Sequence, residues 1–147
     1  MITQSTVLQL DQLLNLERLF PNSERYTEQE LIDFINSPEC LTLSDIYGNE
    51  VRGWAVVTFR SKSMSAYLES ICSVNRGGYA LLATLEQNVK WRRRNSIFLD
   101  VEENNHKAIA FFKRAGYYKF GKCKNFYPNG HNSLRFRKEL GTLPRFR

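Results

Sequence analysis

Apolar and polar residues follow two different periods along this chain, and each change of period predicts a change of element. Residues 2–8 are predicted to form a first strand, and leucines then recur on one helical stripe over about 9–20. Thr27 and Glu30 have the spacing of a capping box, so a second short helix should begin there. Three strand-like runs separated by turn residues follow over 41–74, and antiparallel pairing is their simplest arrangement.

The helical period returns after Gly77 and Gly78, and strand and helix then alternate. The predicted elements there are, in order, a helix from about 78 to 94, a strand over 96–101, a helix over 105–115 capped by Gly116, and two strands over 117–126 and 132–140. The order β-α-α-β-β-β-α-β-α-β-β predicts an α+β fold, a mixed sheet of about seven strands with helices on both faces. We expect one domain over 1–147, because no repeat or linker interrupts the pattern.

Composition is that of an ordinary globular protein. Hydrophobic residues make up 42%, charged residues 24% and aromatic residues 13%, which excludes disorder and collagen. No apolar run approaches the length that spans a bilayer, and the first residues lack the pattern of a secretory signal. The 3 cysteines are widely spaced, which fits reduced thiols better than a disulfide framework or a zinc site. We therefore expect a cytoplasmic protein with no metal and no membrane contact.

Charge is distributed unevenly along the chain. Residues 1–89 hold six basic and eleven acidic side chains, whereas 90–147 hold fifteen and four. The basic half should attract nucleic acid, an acidic protein surface or a phosphate-rich cofactor, although a solvated face is the plain alternative. The same alternatives apply to Trp-Arg-Arg-Arg at 91–94, either a solvated helix end or a contact to phosphate or an acidic partner.

The junction at 73–82 combines a strand end, two glycines and a helix start. Backbone N–H groups at a helix start attract anions such as phosphate, and Arg76 adds a cation beside Gly77 and Gly78. The junction is not a P-loop, because no Gly-Lys-Ser/Thr follows. A plain turn is the alternative interpretation.

The most specific pattern lies at 99–117: Leu-Asp-Val closes a strand, and Asn105, Ala108, Phe112 and Gly116 follow at fixed spacings. This pattern resembles the GNAT superfamily of acetyl-CoA-dependent N-acetyltransferases. Three further segments carry the resemblance: 67–74 is similar to the family's fourth strand, 76–82 to its pyrophosphate loop, and 124–130 (Lys-Asn-Phe-Tyr-Pro-Asn-Gly) to the Asn-Tyr-Tyr-Pro segment of RimI-type ribosomal-protein N-terminal acetyltransferases. The predicted order of elements also matches the family's fold.

The resemblance implies acetyl-CoA as co-substrate. Three groups of residues would hold it: the backbone of Cys72, Ser73 and Val74 along the pantetheine arm, the amides of Gly77, Gly78 and Tyr79 with Arg76 at the pyrophosphate, and Asn105 at the pantetheine or the reacting group. The loop over 74–80 is shorter than the usual family stretch.

The resemblance also implies the catalytic groups. Asp100 occupies the position of the glutamate that acts as general base in RimI-type enzymes, and Glu69 on the fourth strand is an alternative base. Phe112 stands where those enzymes carry a tyrosine as general acid, so Tyr127 or Tyr79 would have to donate instead. The plain alternatives are an ion pair to a lysine for Asp100, a salt bridge for Glu69 and hairpin packing for Tyr127.

The leading hypothesis is an N-acetyltransferase that moves acetyl from acetyl-CoA to a primary amine of a protein, an N-terminus or a lysine, by direct attack in a ternary complex. The main alternative is a catalytically degenerate GNAT-fold module that binds an acidic protein or nucleic acid through 90–147. Phe112 and the short loop favour the module, whereas Asn105 and the Arg-Gly-Gly junction favour the enzyme. A small-molecule or aminoacyl-tRNA amine is a third acceptor, and the basic end at 145–147 is compatible with tRNA.

Overall fold

The computed structural model of the chain describes residues 1–21, 24–74 and 77–141. Its elements follow the predicted order: β1 (Ile2–Gln4), a 3₁₀ turn (Val7–Gln9), α1 (Leu10–Glu17), α2 (Glu28–Asn36), β2 (Cys40–Tyr47), β3 (Glu50–Phe59), β4 (Ser65–Ser73), α3 (Gly78–Trp91), β5 (Ser96–Glu102), α4 (His106–Arg114), β6 (Tyr118–Cys123) and β7 (Ser133–Glu139). The first strand is shorter than predicted, because the Thr6 N–H donates to Gln9 Oε1 and a turn begins there.

The local signals at helix ends act as predicted. Thr27 Oγ1 accepts the Glu30 N–H at 3.2 Å, and Glu30 Oε1 accepts the Thr27 N–H at 3.1 Å, which completes the capping box of α2. Gly116 follows α4 with a φ of 95°, a left-handed conformation that glycine adopts without a steric penalty.

The strands form one seven-stranded sheet in the order β1-β2-β3-β4-β5-β7-β6. Every neighbouring pair is antiparallel except β4 and β5, which are parallel. The parallel ladder is short, because it joins only Ser65, Ala66 and Tyr67 to the start of β5. Beyond Tyr67 the two strands part, and the gap between them positions the site described below.

A β-bulge in β4 lies at the point where the strands part. Val56 pairs with Ser70 and Val57 with Leu68, so Glu69 is an extra residue that faces no partner on β3. A bulge bends its strand and redirects the side chains that follow. In a regular strand, residues three positions apart face opposite sides of the sheet. Because the bulge lies between them, Leu68 and Ile71 instead pack against the same core cluster.

Helices cover the sheet on both faces, which confirms the predicted α+β architecture. One core lies under α3 and α4; the residues that α3 contributes are those of its predicted apolar stripe, Leu81, Leu82, Leu85 and Val89. The other lies under α1 and α2, where Leu13 and Leu31 surround the fully buried Trp54. Over the described ranges, no helix has the length and apolarity needed to cross a bilayer.

Candidate active site

A cleft of about 480 Å³ opens where β4 and β5 part. Its lining comes from these two strands, from the connection between α1 and α2, from the start of α4, and from the connection between β6 and β7. Four residues predicted from sequence line it: Glu69, Asp100, Asn105 and Tyr127. The structure therefore brings the catalytic candidates together, although they are far apart in sequence.

Asp100 lies on β5 with 2% of its side chain exposed and with both carboxylate oxygens occupied. Tyr67 donates its hydroxyl to Oδ2 at 2.8 Å, and Ser133 and Arg135 donate to Oδ1 at 2.8 and 3.0 Å. Burial and the bond to Asp100 raise the pKa of Tyr67, so this hydroxyl keeps its proton and remains a donor. Asp100 therefore forms an ion pair, as its plain alternative expected, but the partner is an arginine and not a lysine. Its three hydrogen bonds link β4, β5 and β7 beside the cleft.

Glu69 has a different environment. Thr58 donates its hydroxyl to Oε1 at 2.8 Å, and the Tyr26 hydroxyl lies 3.4 Å from Oε2 and 3.2 Å from the Glu69 carbonyl oxygen. In the part of the chain that the structure describes, Glu69 forms no ion pair. Its two neighbours are neutral hydroxyls, so a proton added to Glu69 disrupts no salt bridge.

Tyr127 reaches the cleft from the connection between β6 and β7, which its own N–H closes by donating to the His131 carbonyl at 3.2 Å. Burial raises the pKa of the Tyr127 hydroxyl, and the negative charges of Glu24 and Asp100 raise it further. No described residue accepts a hydrogen bond from this hydroxyl. It is therefore a protonated donor available to a bound molecule.

The cleft is strongly acidic. Arg25 is the basic residue of its described lining, and its guanidinium donates to the backbone carbonyls of Phe20 and Arg18 at 2.8 and 3.2 Å. Burial raises the pKa of Glu24, and the nearby charge of Glu102 contributes in the same direction. The carboxylates in the lining are those of Glu24, Glu30, Glu69, Asp100 and Glu102. Asp100 is paired with Arg135, and Glu102 lies 2.8 Å from His131 Nδ1, so the field that favours an entering cation comes mainly from the other three.

Cys72, Ser73 and Val74 continue β4 away from the cleft. Cys72 pairs through its backbone with Trp54 on β3, and its thiol donates weakly to the Leu16 carbonyl at 3.8 Å. Burial raises the pKa of Cys72 to about 12, so the thiol is a buried apolar group and not a nucleophile. A contact of Cys72 with a cofactor would therefore come from its backbone, as the resemblance implies.

Gly77 and Gly78 begin α3 in close contact with their neighbours. A Cβ on Gly77 would lie 2.9 Å from Asp45 Oδ2, and one on Gly78 would lie 3.2 Å from the Phe111 ring. Tyr79 is packed over the same ring, with 4.6 Å between centroids. A larger residue at either position would therefore have to displace a neighbour, and the buried Asp45 carboxylate lies beside the helix start predicted to hold phosphate.

Three other predicted residues have distinct outcomes. Asn105 caps α4, because its Oδ1 accepts the Ala108 N–H at 3.1 Å, and it also lines the cleft. Phe112 is buried and packs edge-on against Tyr117, so this position supplies ring surface and no proton. Arg76 lies outside the described residues, and its role at the pyrophosphate stays a prediction.

Sequence reasoning missed Tyr67, Tyr26 and Arg135, the partners of the two candidate bases. Tyr67 lies opposite Phe98 in the parallel ladder, which puts it on the same sheet face as Asp100. Only the register of β4 against β5 reveals that relation, because 33 residues separate the two side chains in sequence. Arg135 likewise depends on the pairing of Asp100 with β7.

Residues 8–117 of the chain match the acetyltransferase (GNAT) family. The chain belongs to this family. It is an acetyl-CoA-dependent N-acetyltransferase, with acetyl-CoA as its co-substrate. Membership confirms the predicted enzyme class and argues against the inactive binding module.

Solved structures share this acetyltransferase's fold. One, the ribosomal-protein-S18-alanine N-acetyltransferase from Escherichia coli, is 18% identical and has a TM-score of 0.82 over 99% of this chain and 96% of that chain. An aminoglycoside 6'-N-acetyltransferase from Enterococcus faecium is 19% identical, with a TM-score of 0.82 over 99% of both chains. An aminoglycoside 6'-N-acetyltransferase complexed with coenzyme A is 18% identical, with a TM-score of 0.77 over 99% of both chains. A comparison with curated proteins gives no match.

The residues along β4 fit the pantetheine arm of acetyl-CoA. From Leu68 onward the β4 edge that faces β5 has no strand partner, because the parallel ladder ends at Tyr67. An extended chain that carries amide groups can bond to such an edge as an added strand would. When bound, acetyl-CoA supplies the activated acetyl group; the protein supplies the open edge and the cleft beside it.

Proposed function

We propose that this acetyltransferase acts on a primary amine of a protein, an N-terminal or a lysine amine, and that it is a RimI-type enzyme in this respect. The acidic cleft beside the open edge of β4 carries the proposal, because an amine acceptor arrives as an ammonium ion that carboxylates attract. The likeness to a ribosomal-protein alanine acetyltransferase supports the choice of a protein acceptor.

Glu69 is the general base in this proposal, and it acts directly or through one water. An ammonium group must lose a proton before its nitrogen can attack a thioester carbonyl, and a positioned base contributes typically ~10²–10⁴-fold. Both oxygens of Glu69 face neutral hydroxyls, Thr58 and Tyr26, and can accept a proton without breaking an ion pair. Asp100, held by three donors, instead positions Tyr67 and Arg135.

Tyr127 is the proposed donor to the leaving thiolate. Its hydroxyl is protonated in the free enzyme, because burial and the surrounding carboxylates raise its pKa, and no described residue accepts a hydrogen bond from it. The hydroxyl donates to the sulfur as the C–S bond breaks, and the proton that Glu69 takes from the ammonium group restores it through solvent. A neutral donor that lies on the same cleft as Glu69 replaces the acid that Phe112 cannot supply.

A small polycationic amine is a second candidate acceptor. The cleft lining holds more carboxylates than one ammonium group needs, and a molecule with several ammonium groups would pair with more of them. Only the chemistry of the acceptor differs between the two candidates, because the proton-transfer groups are shared.

Acetyl transfer to a panel of acceptors separates the candidates. The panel holds peptides with a free N-terminus and no lysine, N-terminally blocked peptides with one lysine, polyamines and aminoglycosides, and the readouts are CoA thiol release and the mass of the product. We expect transfer to at least one peptide class, with Glu69→Gln inactive on the same peptide. Transfer to the small amines alone would replace the protein acceptor by the second candidate.

A further inference from the structure

A cluster of cationic side chains surrounds the end of α3 and the turn between β3 and β4. We call it the cationic patch; its members are Arg60, Lys62, Arg92, Arg93 and Arg94. Arg94 joins the two segments, because its Nη2 donates to the Arg60 carbonyl at 3.1 Å. The guanidinium carbons of Arg92 and Arg94 lie 4.5 and 5.6 Å from the centre of the Phe59 ring, which holds both groups in place.

The charge of the cationic patch is not compensated locally. None of its members forms an ion pair within the described residues. Arg92 and Arg94 donate to backbone carbonyls, and Arg94 Nε is buried with no partner. Glu39, in the turn before β2, accepts the Phe59 N–H through its backbone carbonyl, but its carboxylate forms no described ion pair; Glu139 at the end of β7 is already bound to Arg137 at 2.6 Å.

An exposed aromatic residue directly precedes the arginines of the cationic patch in sequence. Trp91 ends α3 with 61% of its surface exposed, directly before the three arginines. The helix dipole favours cations at the C-terminus of α3, which explains the arginines there. It does not explain Arg60 and Lys62, which lie in the turn between β3 and β4, and it does not explain the exposed indole. Aromatic faces among cations are the arrangement that single-stranded nucleic acids bind, with phosphates on the cations and a base stacked on the ring.

We propose that the cationic patch binds single-stranded nucleic acid, with a base stacked on Trp91. None of the patch residues lines the acidic cleft, so both can be occupied at the same time. An acidic protein would meet the same cations, but it lacks the regular alternation of phosphates and planar bases that the cations and the exposed indole would match. The proposal does not depend on which amine the enzyme acetylates.

The test is binding of fluorescent single-stranded RNA and DNA oligonucleotides of about 16 nucleotides by the full chain, over a range of salt concentrations. The patch variant is Arg60→Gln, Lys62→Gln, Arg93→Gln, three exposed residues whose side chains have no described contact. Its matched control, Lys113→Gln, Arg114→Gln, Lys119→Gln, removes three exposed cations elsewhere. We expect the patch variant to bind at least about tenfold more weakly, with the slope of log Kd against log salt reduced by about 2, and the control to match the wild type.

Tryptophan fluorescence gives a second readout in the unmodified chain. The protein has 2 tryptophans, and Trp54 is fully buried, so an oligonucleotide can quench only Trp91 directly. We expect quenching on binding, no quenching in Trp91→Phe, and weaker binding by a duplex of equal length. Equal losses in the patch variant and its control, an unquenched Trp91, or equal displacement by poly-glutamate, which would indicate an acidic protein instead, would each overturn the proposal.

Discussion

The carboxylates of Asp100 and Glu69 line the same cleft but have different hydrogen-bond partners. Asp100 is bound by a phenol, a hydroxyl and a guanidinium, whereas Glu69 meets only hydroxyls. We predict that Glu69→Gln lowers kcat by ~10²–10⁴-fold and leaves the KM for acetyl-CoA nearly unchanged, since it removes the base and no cofactor contact. Steady-state CoA release measures both constants.

Asp100→Asn is the matched comparison. It leaves Arg135 without its carboxylate partner, so we expect a loss of about 1–2 kcal/mol in the free energy of unfolding, discounted because the guanidinium is partly exposed. A fall in kcat larger than that of Glu69→Gln, in a variant that keeps its stability, would instead place the base on β5.

Removal of the Tyr127 hydroxyl tests the proposed proton donor. Because no described residue bonds to this hydroxyl, Tyr127→Phe should keep the wild-type melting temperature while kcat falls by about 10²-fold. The raised pKa keeps the hydroxyl protonated through and above the usual range of tyrosine, so the loss should be uniform across neutral and mildly alkaline pH. The measurement is kcat as a function of pH for the wild type and for Tyr127→Phe. An unchanged kcat would exclude Tyr127 as the proton donor.

At the scale of elements, one buried carboxylate joins α1 to the cleft wall. Glu17 is 2% exposed; it accepts the Tyr26 N–H at 2.8 Å and the Trp54 Nε1–H at 3.3 Å. Glu17→Ala would leave one buried and one part-buried donor unpaired beside a cavity, so we predict a loss of about 2–4 kcal/mol in the free energy of unfolding. Urea denaturation at neutral pH measures it, with Asp11→Asn on the exposed face of α1 as control.

The same residue predicts a pH dependence of stability. Burial raises the pKa of Glu17 above 4.5, although its two N–H donors act in the opposite direction. The folded protein therefore holds this proton more tightly than the unfolded chain, and the stabilisation present below about 4.5 is lost as pH rises through the folded pKa. The difference in unfolding free energy between wild type and Glu17→Gln should fall as pH rises; a rise would mean that the hydrogen bonds outweigh burial.

Elements set by local chemistry were predictable from the sequence, and the relations between them were not. The capping box at Thr27 and the glycine cap at Gly116 act within one turn of chain, and both are confirmed. The bulge at Glu69 and the bond from Tyr67 to Asp100 depend on strand register, which pairs residues distant in sequence. The candidate residues of the cleft could therefore be predicted from the sequence. Which carboxylate is already bound by other side chains could not.

At the scale of the whole molecule, folding redistributes the charge that the sequence divides into an acidic and a basic half. The basic half contributes Asp100 and Glu102 to the acidic cleft, and the acidic half contributes Arg60 and Lys62 to the cationic patch. The net charge of each half of the sequence therefore does not predict where acidic and basic surfaces lie. Each binding region has to be tested with variants of residues that are close together in the structure.

The electrostatic field of the cleft should make the KM for a cationic acceptor depend on the salt concentration. Screening between exposed charges becomes strong at a Debye length of about 10 Å, near 0.1 M salt, so the KM for a cationic acceptor should rise with salt. We predict that Glu24→Gln, Glu102→Gln raises that KM about 3–10-fold at low salt and flattens its salt dependence, with kcat nearly unchanged. The control Asp11→Asn, Glu50→Gln removes two exposed charges outside the cleft and should behave as wild type. Equal effects in both variants would mean that net charge, and not the cleft, attracts the acceptor.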